Sequence, residues 1–139
     1  MAHSCGVLLA MIGSSALSSG LKLLIGRARP DVTLVLGPVS NTFAFPSGHA
    51  LNSTVFLTVA ALVMARIRSL RNRTAILAVA VVMSIGIGLS RVYLGYHWAT
   101  DVLAGWTVAI VWLVIVLNVA RFVRDRRTRS HDVAAGNGQ

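Results

Sequence analysis

Two histidines and an aspartate have the residue types and spacing for acid–base and nucleophilic chemistry. His97 and Asp101 are four residues apart, which on one helix would place both side chains on the same face. An aspartate that accepts a hydrogen bond from one imidazole nitrogen leaves the other nitrogen free to react. His97 is therefore a candidate nucleophile oriented by Asp101, and His49 is a candidate general acid. The residue types alone leave open which histidine attacks.

Cationic and turn residues near these histidines are suited to binding phosphate. Lys22, Arg29 and Arg91 provide positive charge, and arginine has a planar fork that matches two phosphate oxygens. Ser47 and Gly48 precede an apolar segment, where a hydroxyl, a backbone N–H and a helix N-terminus together favour an anion. The residues therefore predict a phosphate-binding site.

A metal centre is the main alternative to this set of fixed cations, because phosphoryl chemistry often uses metal ions held by carboxylates. The chain has only 4 acidic residues, and only Asp31 and Asp101 lie near the candidate site in the sequence. Two histidines and an aspartate could bind zinc, but neighbouring cations would oppose a dication. We therefore expect a site that uses neither a metal nor another cofactor.

Long apolar segments must position these residues. Hydrophobic residues make up 55% of the chain and charged residues 12%, about half the charged fraction of a typical soluble domain. Four segments approach the ~20 residues needed to cross a bilayer. They are 5–25, 51–65 (extending to about 49–67), 75–90 and 102–120. No strand-like alternation competes with them, so the sequence predicts an all-α integral membrane bundle of four transmembrane helices.

The 139 residues predict one membrane-embedded domain over 1–129 and a disordered cytoplasmic tail over 130–139. Much of the net charge of +9 comes from arginines within 66–73 and 121–129, which lie on one side if all four segments cross. The positive-inside rule places these arginines and both termini in the cytoplasm, so the candidate site faces outward from the cytoplasmic membrane. This distribution argues against a nucleic-acid partner.

The three groups of candidate residues resemble the signature of the type 2 phosphatidic acid phosphatase superfamily. That signature reads Lys-x6-Arg-Pro, Pro-Ser-Gly-His and Ser-Arg-x5-His-x3-Asp, and it is filled here by KLLIGRARP (22–30), PSGH (46–49) and SRVYLGYHWATD (90–101). The resemblance implies a metal-independent phosphatase with a phosphohistidine intermediate. His97 then resembles the nucleophile, Asp101 its orienting partner and His49 the acid. The residues that resemble phosphate ligands are Lys22, Arg29, Ser47, Gly48 and Arg91.

The resemblance implies a phosphoric monoester or diphosphate hydrolase that acts on a lipid phosphate or a polyprenyl pyrophosphate in the membrane. The sequence leaves the particular lipid open. Arg27 and Asp31 lie outside the signature and are expected to pair locally or to meet lipid headgroups.

Membrane members of this family usually have six helices, so the first two are expected to be missing from this chain. One alternative is a truncated or partner-dependent, non-catalytic membrane subunit. Self-association into a homo-oligomer is another way to complete the bundle. A vanadate-dependent haloperoxidase shares the signature, but those enzymes are soluble and larger, so the apolar segments argue against that activity.

Overall fold

Four α-helices make up the fold of the described residues. The computed structural model describes residues 2–30, 35, 42–65 and 69–136, with side chains described over 6–30, 35, 42–65, 69 and 71–126. The helices are α1 (Ala2–Ile25), α2 (Gly48–Ala65), α3 (Leu70–Tyr93) and α4 (Ala99–Gly136). All four are long and apolar enough to cross a membrane. The prediction of an all-α membrane bundle with four transmembrane helices is confirmed.

The structure differs from the sequence prediction at the C-terminal end of the chain. Helix α4 continues to Gly136, into the 130–139 stretch that the sequence predicts to be disordered. Residues 137–139 lie outside the described part of the chain, as do Asp31, Arg66 and Arg68.

Helices α1 and α3 end at glycines next to the candidate site. Gly26 has φ +62° and its N–H donates to the carbonyl of Lys22 at 3.0 Å. Gly95 has φ +75°, and the next residue, Tyr96, donates its N–H to the carbonyl of Arg91 at 3.1 Å. Only glycine adopts this left-handed conformation without strain, and these bonds satisfy the last helical carbonyls. At the end of both helices the chain therefore turns sharply just beyond a cationic residue.

Side-chain caps set the starts of α2 and α4. The Oγ of Ser47 accepts the N–H of Ala50 at 3.4 Å, so this serine caps α2. At α4, the Oδ2 of Asp101 accepts the N–H of Trp98 at 3.0 Å, as the third residue of a capping box does. Both caps belong to the signature, so the same residues begin the helices and mark the candidate site.

Helix α2 lies at the centre of the bundle and contacts the other three helices. The buried core consists of Ala10, Leu51, Val55, Ala109 and Leu113. Helices α1 and α3 approach α4 closely where Gly13 faces the ring of Trp112 and Gly88 faces the ring of Trp106. The outer surfaces remain apolar, as lipid-facing surfaces are. The fold is therefore that of a multi-pass membrane protein.

Candidate active site

The four helix ends bring the three signature regions together at one end of the bundle. A cavity of about 580 Å³ lies between the C-terminal ends of α1 and α3 and the N-terminal end of α2. The predicted residues that line it are Lys22, Arg29, Gly48, His49, Arg91 and His97. Ser47 and Asp101 are fully buried and do not belong to the cavity wall. The structure therefore gathers six of the eight predicted residues around one cavity.

Backbone carbonyls hold two of the cations at the cavity. Lys22 lies in the last turn of α1, and its Nζ donates to the carbonyl of Phe43 at 2.6 Å. The Nε of Arg29 donates to the carbonyl of Thr42 at 2.8 Å, and its Nη1 donates to that of Tyr96 at 2.9 Å. These bonds orient both side chains, so the positive charge at the cavity is preorganised.

Arg91, in the last turn of α3, contributes through its side chain and its backbone. Its guanidinium lies 5.7 Å from the ring centroid of Tyr96, within the range of a cation–π contact. Its carbonyl accepts the N–H groups of Tyr96 at 3.1 Å and His97 at 3.2 Å. The residue therefore lines the cavity and also fixes the turn that carries His97.

His97 lies in the turn between α3 and α4 and is only 4% exposed. Helix α4 begins at Ala99, so Asp101 lies in its first turn and His97 lies just before it. The turn nevertheless brings the Nδ1 of His97 to 3.6 Å from the Oδ2 of Asp101. That distance is longer than an N–H···O hydrogen bond, and Nδ1 has no hydrogen-bond partner among the described residues. Catalytic hydrogen bonds are often this long before the substrate binds.

Burial and neighbouring charge keep the imidazole of His97 neutral. Burial is the largest cause that lowers the pKa of His97 to about 4, and the charges of Arg29 and Lys22 lower it further. The carboxylate of Asp101 opposes this shift. Burial also lowers the pKa of Arg29 below its usual range, but a guanidinium remains protonated at neutral pH. At pH 7 the cavity therefore combines a neutral imidazole with a fixed cation.

The carboxylate of Asp101 has a partner on each oxygen. Its Oδ1 accepts the Nη1 of Arg27 at 2.8 Å, and its Oδ2 accepts the N–H of Trp98 at 3.0 Å. Sequence reasoning assigned Arg27 to local pairing or to lipid headgroups, whereas the structure pairs it with a residue 74 positions away. The local signal for this role was weak, since Arg27 lies between two signature positions without belonging to the signature.

The Pro-Ser-Gly-His turn packs against both α1 and α4. The N–H of Ser47 donates to the carbonyl of Asp101 at 2.9 Å, so this group supports the turn and does not face the cavity. A Cβ on Gly48 would lie 3.0 Å from the Oγ of Ser18, so glycine permits α2 to approach α1. Gly48 and His49 are the first residues of α2, where backbone N–H groups have no partner within the helix. These N–H groups remain candidates for binding an anion.

Polar residues outside the signature also line the cavity, and sequence reasoning missed them. Ser18 precedes Lys22 by one helical turn, and Asn52 and Ser53 follow Gly48 and His49 by one turn. Their spacing of four residues could have identified them, because residues four apart share a helix face. The Oδ1 of Asn52 is buried and has no hydrogen-bond partner in the described part of the chain.

Comparison with known proteins agrees with this arrangement. The family model for the PAP2 superfamily matches residues 4–125. The chain belongs to the PAP2 superfamily. The resemblance seen in the signature is therefore confirmed, and the matched region contains every predicted site residue.

Named PAP2 relatives include enzymes that act on different membrane lipids. The chain is 33% identical over 102 residues to phosphatidylglycerophosphatase B of Bacillus subtilis (strain 168), a match that covers 72% of this chain and 49% of that protein. It is 30% identical over 89 residues to undecaprenyl-diphosphatase of Sulfolobus acidocaldarius, covering 61% of this chain and 39% of that protein. The chain thus spans about half the length, or less, of these curated relatives.

A solved PAP2 structure shares the fold. The crystal structure of a transmembrane PAP2-type phosphatidylglycerolphosphate phosphatase from Bacillus subtilis superposes with a TM-score of 0.75 at 32% sequence identity. The superposition covers 84% of this chain and 58% of that chain. The four helices described here therefore follow the arrangement of part of a larger PAP2 membrane protein.

Proposed function

We propose that this PAP2 chain hydrolyses the phosphate or diphosphate group of a membrane lipid through a phosphohistidine on His97. The observation that carries the proposal is a cavity lined by a buried imidazole, a second histidine and three cationic side chains. Lys22, Arg29 and Arg91 supply the positive charge that a transferring phosphoryl group requires.

In the first step, the Nε2 lone pair of His97 attacks phosphorus, because Nδ1 faces Asp101. The N–P bond forms in line as the bond from phosphorus to the leaving oxygen breaks. His49 donates its proton to that oxygen, so the lipid leaves as an alcohol or as a lipid phosphate. The Nδ1–H of His97 then donates to Asp101 and stabilises the positive charge on the ring. The present separation of 3.6 Å must shorten for that bond to form.

In the second step, water hydrolyses the phosphohistidine. His49, now neutral, accepts a proton from the water as oxygen bonds to phosphorus and the N–P bond breaks. Inorganic phosphate leaves and His97 returns to its neutral state. Both histidines end the cycle as they began, so no net proton transfer to the protein is required.

The surroundings of the cavity suit a lipid substrate. Leu23 and Leu24, next to Lys22 on α1, are 76% and 81% exposed, and Tyr93 at the end of α3 is 84% exposed. A lipid tail could stay against this apolar rim while the headgroup enters the cavity. Phosphatidylglycerophosphatase B and undecaprenyl-diphosphatase are named for lipid substrates that share only the phosphate group and the apolar tail, which supports this substrate class.

Fixed cations take the place of metal ions in the proposed mechanism. Within the described residues there is no group of three or more histidine, cysteine or acidic side chains with the geometry of a metal site. The donor set at the cavity is cationic and would repel a dication. The mechanism therefore assigns charge stabilisation to lysine and arginine alone.

We further propose that the cavity faces outward from the cytoplasmic membrane. Arg71 and Arg73 lie at the start of α3, and Arg121, Arg124 and Arg126 lie towards the far end of α4, at the opposite end of the bundle from the cavity. The positive-inside rule assigns that end to the cytoplasm. An impermeant thiol reagent should therefore label Cys5 only after the membrane is permeabilised, and labelling of intact cells would contradict this orientation.

Phosphate release by the detergent-purified chain tests the proposed activity. The substrates are phosphatidic acid, phosphatidylglycerophosphate and a polyprenyl diphosphate, each with excess EDTA, beside a His97→Ala control. We expect release that survives EDTA and disappears in the variant, and the preferred lipid then identifies the substrate. Folded protein without activity on any of the three would contradict the proposal and favour the partner-dependent subunit. Self-association stays a prediction, which sedimentation of the detergent-solubilised protein would test.

A further inference from the structure

Arg27 connects the segment after α1 to the start of α4. Its Nη1 donates to the Oδ1 of Asp101 at 2.8 Å and to the Oγ1 of Thr100 at 2.7 Å. Its guanidinium lies 5.7 Å from the ring centroid of Trp98, whose Nε1 donates to the carbonyl of Ala28 at 3.3 Å. These contacts make a local cluster that surrounds the buried carboxylate, so Arg27 is placed to determine its orientation.

Arg27 and Arg29 have different positions relative to the cavity, although they are two residues apart. Arg29 lines the cavity and hydrogen-bonds to Thr42 and Tyr96. Arg27 does not belong to the cavity wall, and its ionic partner is Asp101. Arg29 can therefore contact a phosphate directly, whereas Arg27 can affect the reaction only through the aspartate.

The two oxygens of Asp101 divide between Arg27 and His97. Oδ1 pairs with Arg27 at 2.8 Å, while Oδ2 lies 3.6 Å from the Nδ1 of His97. Asp101 is fully buried, and a buried carboxylate that loses its ionic partner is strongly destabilised. Without Arg27 the carboxylate would therefore reorient, and its charge would act on its other neighbour, His97, without a balancing cation.

We propose that Arg27 is a positioning residue that holds Asp101 so that its Oδ2 faces the Nδ1 of His97. The contribution of this contact to catalysis rests on the proposed function, whereas the contact itself does not. Arg27 also balances the charge of the aspartate, so its removal exposes His97 to the full negative charge of Asp101. The pKa of His97 should then rise, because an unbalanced nearby anion favours the imidazolium.

The other charged groups around His97 stay in place in an Arg27 variant. They are Lys22 from α1, Arg29 from the following segment, His49 from α2 and Arg91 from α3. Since these groups are unchanged, a shift in the titration of His97 would report the loss of Arg27.

The first experiment compares steady-state kinetics of Arg27→Gln, Arg27→Lys and the matched control Arg121→Gln. Arg121 is exposed and lies about 30 Å along α4 from Asp101. For Arg27→Gln we expect kcat to fall about tenfold to a hundredfold with KM little changed, because a misplaced catalytic group costs rate. The acid limb of kcat/KM should rise by roughly one pH unit. Arg27→Lys should recover part of the loss, since it keeps the charge but not the planar fork.

The second experiment needs no turnover. Titration of the nitrogen-labelled imidazole of His97 by NMR, assigned with His97→Ala, should show protonation at higher pH in Arg27→Gln than in the wild type, by roughly one unit. Wild-type protein without phosphatase activity would refute the proposed function and leave this titration as an independent test of Arg27. If Arg27→Gln does not fold, Arg27→Lys should give a smaller shift in the same direction.

Two results would overturn the role of Arg27. One is an unchanged His97 titration in folded Arg27→Gln and Arg27→Lys, which would make the arginine a structural residue only. The other is an increase in KM with kcat unchanged, which would assign Arg27 to substrate binding. The control Arg121→Gln should match the wild type in both experiments.

Discussion

Substitution of Gly105 should disrupt the contact between α2 and α4 that supports the candidate site. A Cβ at this position would lie 2.8 Å from the carbonyl oxygen of Ser47, 3.1 Å from the Cβ of Ala50 and 3.3 Å from the backbone nitrogen of Leu51. Two of these three atoms belong to the backbone, so no side-chain rotation can relieve the clash. Gly105→Ala should therefore push the start of α2 away from α4.

The size of the effect follows from these distances. The carbonyl of Ser47 must move by about 0.6 Å to reach an ordinary contact distance from the new Cβ. Overpacking of this kind costs about 1–3 kcal/mol of stability. The same movement strains the 2.9 Å bond from the N–H of Ser47 to the carbonyl of Asp101. Because a misplacement of about 1 Å can cost 10²-fold in rate, we expect kcat to fall about tenfold.

The assay pairs Gly105→Ala with Gly86→Ala in the same background. A Cβ at Gly86 would meet nothing within 4 Å, so the same chemical change there should leave packing intact. Thermal unfolding in detergent and phosphate release from the preferred lipid are measured for both variants. Gly105→Ala should unfold at least about 3 °C lower and react more slowly. Equal behaviour of the two variants would refute the argument that the α2–α4 contact positions the site.

Two further predictions concern His97 and Arg29. The attacking imidazole must be neutral, and the pKa of His97 is lowered to about 4. Protonation of His97 should therefore not lower kcat/KM between pH 7 and about pH 5. A phosphate monoester substrate adds its own second ionisation near pH 6. An acid limb at the ordinary histidine pKa of about 6.5, with a substrate lacking that ionisation, would contradict this. Arg29→Gln should lower kcat/KM about tenfold to a hundredfold by removing charge-assisted bonds to phosphate, and an unchanged value would exclude direct contact.

The fold and most of the cavity could be predicted from sequence because their signals are local. Uncharged apolar runs identify the four helices, and the signature places cationic and histidine residues at their ends. The spacing of His97 and Asp101 left open whether one helix carries both, and the structure places His97 in a turn, because Gly95 follows α3 in a left-handed conformation and α4 starts only at Ala99. A spacing of four residues cannot distinguish a helix from a turn that folds back.

The missed residues depend on contacts between distant parts of the chain. Arg27 reaches Asp101 across 74 positions, and nothing in its immediate sequence shows that a buried carboxylate lies opposite. In the sequence, Gly105 looks like any other small residue of a membrane helix, and only the structure shows that the start of α2 packs against it. Ser47, by contrast, was predicted as a phosphate ligand at the start of a helix, and its side chain makes a local cap of α2. Tertiary packing determines the roles of Arg27 and Gly105.

Trapping the covalent intermediate tests the central claim most directly. The protein is mixed with its preferred lipid phosphate, quenched in alkali during the first turnover, and digested for mass spectrometry. We predict one added phosphoryl group on the peptide that contains His97, with none in His97→Ala. His49→Ala should still form the adduct, more slowly. A phosphoryl group on His49, or phosphate release at a normal rate without any protein adduct, would contradict the assignment of His97 as the nucleophile.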